Sequence, residues 1–394
     1  MKRSCVEWDL FASGVNQMSV HKVLFTASSY SHIFHFHIPY LQAFKERGWT
    51  VQVACGGAEM PVDGAEMVFH IPFEKKMSSG KNFRAANELR AIIKRERYDL
   101  VCTHTSLAAF FTRLALWGMR DRPCVVNVVH GYLFDDRTSW LKRNVLLTAE
   151  RMTARETDLL LAMNEWDLRT AQRYRLGQRV AFIPGIGVDF SRFEHDGTTE
   201  ASSLRGSLGI AEEAFVLMYA AEFSTRKSQE TIIRAMTRLP ENAVLILAGD
   251  GDKRKECEDL AEHLGLRGRV YFPGYVSDIP SWYRNADAVV SSSRSEGLPF
   301  NVMEAMYLGK PVVASAVKGH EDLVCHEVSG LLFPYGDADA CAQQIQRLLE
   351  SPELARRLGE NGKKNVAQYG LDEVLPAVMS EYETLIAARS GAAV

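Results

Sequence analysis

The 394-residue sequence lacks the usual marks of secreted, disulfide-stabilised or membrane-spanning proteins. Its seven cysteines are scattered, with no C-x-x-C pair and no cysteine–histidine group at metal-ligand spacing, which favours reduced thiols in a cytoplasm. The longest apolar run, residues 107–119, is interrupted by Arg113 and predicts a core helix too short to cross a bilayer. Residues 1–20 contain Glu7 and Asp9 and no apolar centre, so we expect a disordered extension and not a signal peptide.

A dinucleotide-binding glycine fingerprint is also missing. Gly249 and Gly251 follow a predicted strand, but residues 253–255 supply no third glycine and no suitable acidic residue comes after them. This disfavours a dehydrogenase. The two glycines instead predict a tight turn that brings the backbone near a ligand.

The sequence has no large net charge, because its positive and negative residues nearly balance at −3, but the two kinds of charge are unevenly distributed along the chain. Residues 1–185 carry 25 Lys and Arg against 18 Asp and Glu, whereas residues 186–394 carry 21 against 31. The basic half favours an anionic membrane surface or a diphosphate-linked substrate over nucleic acid, because no nucleic-acid-binding motif accompanies it. Solvated helix faces explain part of the excess. Apolar residues lie among the Lys and Arg residues of the basic half, at Trp140, Leu141, Val145, Leu146 and Leu147.

Short β-branched runs alternate with amphipathic stretches in two series, separated by a polar linker at residues 194–203. This pattern is typical of parallel strands joined by crossover helices, so we predict an α/β fold of two Rossmann-like domains. The predicted boundaries are 21–190 for the first domain, 191–375 for the second, and 376–394 for a C-terminal helix that returns to the first. Predicted strands occupy residues 23–27, 51–54, 100–103, 124–129, 159–163, 180–183, 215–221, 244–247, 270–272, 288–290 and 312–314.

The most informative stretch is the strand–turn–helix of residues 288–308, which contains two glutamates. Asn301 is predicted as the N-cap of the helix, where backbone N–H groups favour a phosphate. Glu304 would then lie on the first turn and accept hydrogen bonds from ribose hydroxyls, and Glu296 would reach a sugar hydroxyl. The competing interpretation is one solvated glutamate and one that interacts with the helix dipole.

Other candidate side chains follow predicted strands. Lys227 lies at the carboxyl end of a strand, where ligands of open α/β sheets bind, and is placed to neutralise a diphosphate. The loop around Val276 could pair its backbone with a base edge, and Asp278 caps the next helix in the alternative interpretation. Asn164 is predicted as a structural helix cap with Asp167.

Histidines supply the candidates in the first domain. His130 ends a strand and precedes Gly131, so its imidazole is predicted to face the interdomain cleft, and His104 ends the preceding strand. A buried or solvated histidine is the alternative for each. His32, His35 and His37 have no carboxylate neighbour at metal-ligand spacing, and no metal site is predicted.

Several ordered motifs over residues 21–388 together resemble glycosyltransferase family 4, which has the GT-B fold. They read SEGLPFNVMEAM, FSTRKSQ, LAGDG, PGIGVD and VHGY, and residues 27–33 (ASSYSHI) resemble the branch that builds capsular and exopolysaccharide repeat units. The resemblance implies retaining, metal-independent transfer of a hexosyl or N-acetylhexosaminyl group from a nucleotide sugar, most often a UDP-sugar. The acceptor it implies is polyprenyl-diphosphate-linked, at the inner face of the cell membrane, with acceptor binding in the first domain and donor binding in the second.

Carried over by position, the resemblance assigns His130, Lys227 and Glu296 to the catalytic set and Glu304 to the ribose. The family often has an arginine where this chain has Glu222; Arg226 and Arg294 are candidate replacements, and Glu222 is alternatively an acceptor contact. Further donor contacts are implied at Gly297, Leu298, Pro299, Phe300, Asn301, Val302, Arg226, Arg294, Val276 and Gly249, and acceptor contacts at Ser31, His32 and His104.

Two other functions remain open at this stage. A UDP-sugar 2-epimerase shares the two-domain architecture and would use carboxylates for proton transfer without an acceptor lipid. A non-catalytic sugar-nucleotide sensor would be stabilised by UDP and turn nothing over.

Overall fold

The computed structural model describes residues 21–194, 205–389 and 391. The predicted extension at residues 1–20 and nearly all of the predicted linker lie outside the described residues. Within the part that is described, no helix combines the length and the apolar character needed to cross a membrane.

The N-terminal unit is built on a seven-stranded parallel sheet in the order β3-β2-β1-β4-β5-β6-β7. Its strands are β1 (Lys22–Ala27), β2 (Thr50–Cys55), β3 (Met67–His70), β4 (Leu100–Thr103), β5 (Cys124–Val129), β6 (Leu159–Ala162) and β7 (Arg179–Phe182). Its helices are α1 (Tyr30–Phe36), α2 (Ile38–Glu46), α3 (Gly80–Glu96), α4 (Ser106–Leu116), α5 (Trp140–Thr153) and α6 (Glu165–Tyr174).

The C-terminal unit has a six-stranded parallel sheet in the order β10-β9-β8-β11-β12-β13. Its strands are β8 (Phe215–Ala220), β9 (Ala243–Ala248), β10 (Val270–Gly274), β11 (Ala288–Ser291), β12 (Val312–Ser315) and β13 (Leu331–Phe333). The helices that follow are α7 (Gln229–Ala235), α8 (Arg254–His263), α9 (Ile279–Asn285), α10 (Phe300–Tyr307), α11 (His320–Leu323), α12 (Ala338–Glu350), α13 (Pro352–Val366) and α14 (Leu371–Arg389).

Burial explains why both sheets are parallel and open. Every residue of β5 and β9 is buried, because crossover helices cover both faces of the sheet, whereas the edge strands β3 and β7 are only partly covered. The prediction of an α/β fold with two Rossmann-like units is therefore confirmed.

Five elements have no counterpart in the predicted pattern: α1, β3, α5, α11 and β13. Helix α11 has four residues and β13 has three, so both are too short to show a period. The edge strand β3 buries too little to show a continuous apolar run. Helix α1 is rich in histidine, and α5 carries apolar residues on its exposed surface, so neither shows a clear division into apolar and polar faces. The most exposed of these apolar residues are Trp140 at 78%, Leu141 at 68% and Val145 at 61%.

The last helix, α14, leaves the C-terminal unit and packs on the N-terminal one. Gly370, just before it, pairs with Val188, and the Tyr382 ring stacks on Phe44 with centroids 5.6 Å apart. Arg389 at its end donates to the carbonyl oxygen of Arg122. The chain thus crosses between the units twice.

A buried ion pair joins the two units. Lys318, in the loop after β12, donates to the Asp167 carboxylate of α6 at 2.9 Å, and also to the Tyr132 and Phe134 carbonyl oxygens. Burial raises the pKa of Asp167, while Lys318 and the amide of Asn164 at 2.7 Å act in the opposite direction. Asn164 is the N-cap of α6, as predicted, but it also donates to the carbonyl of Gly297 in the other unit at 3.1 Å.

Replacing Lys318 with methionine should lower the free energy of unfolding by about 3–5 kcal/mol, because it leaves the Asp167 carboxylate buried without its cation. Denaturant titration followed by circular dichroism measures the effect. The matched control is Arg169→Met, on the helix that carries Asp167. Arg169 pairs with Glu165, and their side chains are 77% and 51% exposed, so this ion pair is expected to contribute at most about 1 kcal/mol. Equal losses for the two variants would contradict the role given to Lys318.

Candidate active site

Two loops at the carboxyl edge of the second sheet are hydrogen-bonded to each other. The Ser292 hydroxyl after β11 donates to the carbonyl oxygen of Ser228 at 2.7 Å, and Tyr219 of β8 donates to the carbonyl oxygen of Lys227 at 3.0 Å. Ser228 itself has φ +52°, in the left-handed region, which turns the chain sharply after Lys227. These contacts bring Lys227 to Glu296, although they lie 69 positions apart.

Glu296 is the centre of an ion trio. Lys227 Nζ and Arg226 Nη1 each lie 2.6 Å from one of its carboxylate oxygens, and the Glu296 side chain is only 6% exposed. Burial alone would raise the pKa of Glu296, but Lys227 and Arg226 together lower it to about 2. Two cations share one carboxylate, so the trio carries an excess positive charge, and half-exposed Arg226 presents it to the cleft.

Helix α10 starts two residues earlier than predicted. Its N-cap is Pro299, and the predicted cap, Asn301, is the second helical residue and donates from Nδ2 to the carbonyl of Ala220 at 3.1 Å. The amide nitrogen therefore ties α10 to the end of β8, and the Asn301 side chain does not cap the helix. Val302 N–H already bonds to the Pro299 carbonyl at 3.2 Å.

Glu304 consequently lies on the second turn of α10 and not on the first. It lines a cavity of about 660 Å³ that also contains Lys227 and Arg226. Burial raises the pKa of Glu304 to about 7, and Arg192 acts weakly against it. The two glutamates of one segment thus have opposite environments: Glu296 is held ionised by two cations, and Glu304 is enclosed with little positive charge nearby.

Backbone meets backbone where the two units approach each other. A Cβ atom at Gly297 would lie 2.0 Å from the carbonyl oxygen of His130, and Gly131, at φ +112°, has the Gly297 Cα within 3.0 Å of its own Cβ position. Only glycine fits at this contact. Glu296 is therefore fixed opposite His130, and both line a second cavity of about 650 Å³ that adjoins the first.

The His130 imidazole faces this second cavity, as the strand end and the following glycine predicted. His104 Nδ1 lies 3.2 Å from His130 Nε2, and the His32 ring packs edge-on at 4.6 Å between centroids. Burial lowers the pKa of His130 and His104 well below the ordinary value and that of His32 to about 4, so all three are neutral at pH 7. His35 is exposed and borders the first cavity, not the second.

Most of the other predicted donor residues surround the two cavities. Glu222 lines the first cavity, and Arg294 lines the second and donates to the Arg137 carbonyl across the cleft at 3.5 Å. Val302 does not line either cavity, because its side chain is fully buried in the core, and Ser31 is exposed beside His35. Those that line the first cavity are Gly249, Val276, Leu298, Pro299, Phe300 and Asn301, and Gly297 and Leu298 line the second.

Two residues near the site had no signal in the sequence. Tyr283 of α9 lines the first cavity near Glu304, and its hydroxyl is buried with no hydrogen-bond partner among the described residues. Lys318 forms the buried ion pair between the two units. Each reaches the site from an element that is distant in sequence, so no local pattern could have identified it. His37 was not assigned to the site, yet it packs directly on His104, with ring centroids 3.8 Å apart.

Comparison with known proteins places this arrangement in a family. The family described as Glycosyltransferase Family 4 matches residues 40–192, and Glycosyl transferases group 1 matches residues 201–365. The putative glycosyltransferase EpsD of Bacillus subtilis (strain 168) is 33% identical over 353 residues, or 88% of this chain and 92% of EpsD. The chain belongs to glycosyltransferase family 4.

Another relative and a solved structure are similar over most of the chain. An Escherichia coli UDP-Gal:alpha-D-GlcNAc-diphosphoundecaprenol alpha-1,3-galactosyltransferase is 25% identical over 302 residues, covering 74% of this chain and 77% of the relative. The crystal structure of Anabaena HepE in complex with UDP and glucose has a TM-score of 0.77 at 22% identity, covering 92% of this chain and all of HepE. This family 4 glycosyltransferase therefore has the GT-B fold.

The pKa of Glu304 generates a prediction about stability. Its ordinary value is 4.5 and its value in the folded glycosyltransferase is about 7, so the folded state holds the proton more tightly than the unfolded state. The contribution of Glu304 to the free energy of unfolding is complete below about pH 4.5, falls as pH rises, and is lost above about pH 7. Glu304→Gln should remove this pH-dependent loss. Between pH 4.5 and pH 8 the free energy of unfolding of the variant should therefore rise relative to that of the wild type by at most about 3 kcal/mol.

Urea titrations of wild type and variant at several pH values measure this difference. Glu353→Gln, at an exposed position on α13, is the control and should leave the pH profile unchanged. Parallel profiles for Glu304→Gln and wild type would contradict the raised pKa of Glu304 in the folded protein.

Proposed function

We propose that this glycosyltransferase moves a hexosyl or N-acetylhexosaminyl group from a UDP-sugar to a polyprenyl-diphosphate-linked saccharide during exopolysaccharide or capsule assembly. The single observation that carries the proposal is the Lys227–Glu296–Arg226 trio, with its excess positive charge between two adjoining cavities. The name of the undecaprenol-linked galactosyltransferase relative supports this class of donor and acceptor, and the name of EpsD supports glycosyl transfer.

The nucleoside diphosphate occupies the first cavity in this proposal. Glu304, once ionised, accepts hydrogen bonds from the ribose hydroxyls, and the diphosphate lies against Lys227 and the start of α10, where backbone dipoles favour an anion. Arg226 replaces the arginine that the family often has at Glu222. UDP and glucose in the HepE crystal structure support a nucleotide-sugar donor on this fold.

The donor sugar reaches the junction of the two cavities, between Glu296 and His130. Glu296 accepts a hydrogen bond from a sugar hydroxyl, and neutral His130 contributes one donor or acceptor from across the cleft. The acceptor enters through the second cavity, near His32 and His104.

Transfer then proceeds on one face of the sugar. The acceptor oxygen bonds to the anomeric carbon as the bond from that carbon to the UDP oxygen breaks, and the acceptor proton passes to a phosphate oxygen of UDP. Lys227 and Arg226 stabilise the negative charge that develops on the leaving diphosphate. The configuration of the anomeric carbon is retained, and the step uses no protein nucleophile and no metal.

Helix α5 is the proposed membrane contact. Its exposed Trp140, Leu141 and Val145 lie beside Lys142 and Arg143, a combination that favours the interface of an anionic bilayer. Such a contact would present the N-terminal unit to a lipid-linked acceptor at the inner face of the cell membrane.

The direct test supplies purified protein with a panel of UDP-, GDP- and ADP-sugars and polyprenyl-diphosphate saccharides in anionic or neutral vesicles. We expect a lipid-linked product with a UDP-sugar, retained anomeric configuration by NMR, a higher rate on anionic vesicles and no loss of rate in chelator. Epimerisation of a UDP-sugar without acceptor would identify an epimerase instead. Binding of UDP with no turnover on any acceptor would identify a sensor.

Replacing Lys227 with alanine should lower kcat by about 10²–10³-fold, because one preorganised cation at the leaving diphosphate is lost. Initial rates with saturating donor measure the effect, and circular dichroism checks that the fold is intact. The control is Lys253→Ala, whose side chain is 41% exposed and pairs locally with Glu256. Near-normal turnover by Lys227→Ala would contradict the assignment.

A further inference from the structure

Four histidines converge on one point of the N-terminal unit. His32 lies on α1, His37 joins α1 to α2, His104 follows β4 and His130 follows β5. Each offers one ring nitrogen, and these four nitrogens all lie within 4.8 Å of one another. His35 is close in sequence to His32 and His37 but is exposed and lies outside this cluster. The cluster is completed by two histidines from the ends of neighbouring strands.

The cluster has ring nitrogens without partners. The Nε2 atoms of His32, His37 and His104 are buried and make no hydrogen bond with the described residues, and His37 and His104 are each 1% exposed. None of the four forms an ion pair with a carboxylate in the described ranges. Buried polar atoms nearly always have a partner, so three unpartnered ring nitrogens in one buried cluster favour a ligand that binds there.

The spacing is close to that around a tetrahedral ion. Zinc–nitrogen bonds are 2.0–2.1 Å, so two imidazole nitrogens on one zinc ion lie about 3.4 Å apart. His104 Nδ1 and His130 Nε2 share a hydrogen bond at 3.2 Å, which an ion bound between them would replace. The four nitrogens, all within 4.8 Å of one another, would draw closer together around the ion.

We propose that His32, His37, His104 and His130 form a binding site for a divalent transition metal of the zinc type. A site of four neutral imidazoles and no oxygen ligand suits Zn²⁺, Co²⁺, Ni²⁺ or Cu²⁺ and not Mg²⁺ or Ca²⁺. The ion would hold α1 and α2 against the ends of β4 and β5.

The site is separate from the chemistry proposed above, in which the diphosphate is neutralised by Lys227 and Arg226. The connection between the two is His130, and it rests on the proposed function. A bound ion would occupy one His130 nitrogen and leave the other ring nitrogen for the donor sugar. Metal binding is measured without any turnover, so its failure would not affect the test of sugar transfer.

The experiment titrates Co²⁺ into full-length protein stripped with chelator and freed of any affinity tag. We expect the intense visible absorption of tetrahedral cobalt, saturating at one equivalent and displaced by Zn²⁺. A crystal soaked in Zn²⁺ should show anomalous density about 2.0–2.1 Å from the four histidine nitrogens. If the wild-type protein gives no more than the weak spectrum of octahedral cobalt, or if the anomalous density lies elsewhere, the proposal is overturned without any variant.

Variants assign the ligands. His37→Gln and His104→Gln should each lower cobalt affinity by about 100-fold or more. If either buried variant is unfolded by circular dichroism, His32→Gln at a half-buried position replaces it. The matched control is His35→Gln on the same helix, which should bind cobalt as the wild type does. Unchanged binding by all of the cluster variants, or loss of binding in His35→Gln, would overturn the assignment.

Discussion

The backbone contact between Gly297 and His130 is the constraint on which the cleft depends. A Cβ atom at 297 would lie 2.0 Å from the His130 carbonyl oxygen, so any side chain there would push the two units apart. The contact holds the loop of one sheet against the strand end of the other. Around it, the buried Lys318–Asp167 pair and the Asn164 amide satisfy the polar groups that the close approach removes from water.

Within that frame, electrostatics distinguish two glutamates that are similar in sequence. Glu296 is nearly inaccessible to water and remains ionised only because Lys227 and Arg226 each lie 2.6 Å from it. Glu304, eight residues on, is enclosed without such partners, so its pKa rises to about 7. The first arrangement keeps two cations in place before any ligand arrives, and the second leaves a carboxyl group whose charge depends on pH near neutrality.

The residues that could be predicted share one property: a local pattern marks them. Lys227, Glu296 and His130 each follow a buried strand, and carboxyl ends of parallel strands meet at the edge of a sheet. The errors have an equally local cause. Asn301 was predicted as a cap because asparagine favours that position, but the helix begins at Phe300, and the Asn301 amide nitrogen donates to the Ala220 carbonyl oxygen. Val302 was assigned to the donor site by position, yet its side chain packs in the core.

The sequence by itself determined the two-unit α/β architecture, the order of its strands and helices, and the polar residues at their ends, because hydrophobic period and turn residues are local properties of the chain. Only the tertiary structure decided which of those ends meet. The pairing of Lys227 with Glu296, the closure of Lys318 on Asp167 and the gathering of His37 with His104 join residues far apart in sequence. Such contacts depend on how two separate sheets pack, which no single segment encodes.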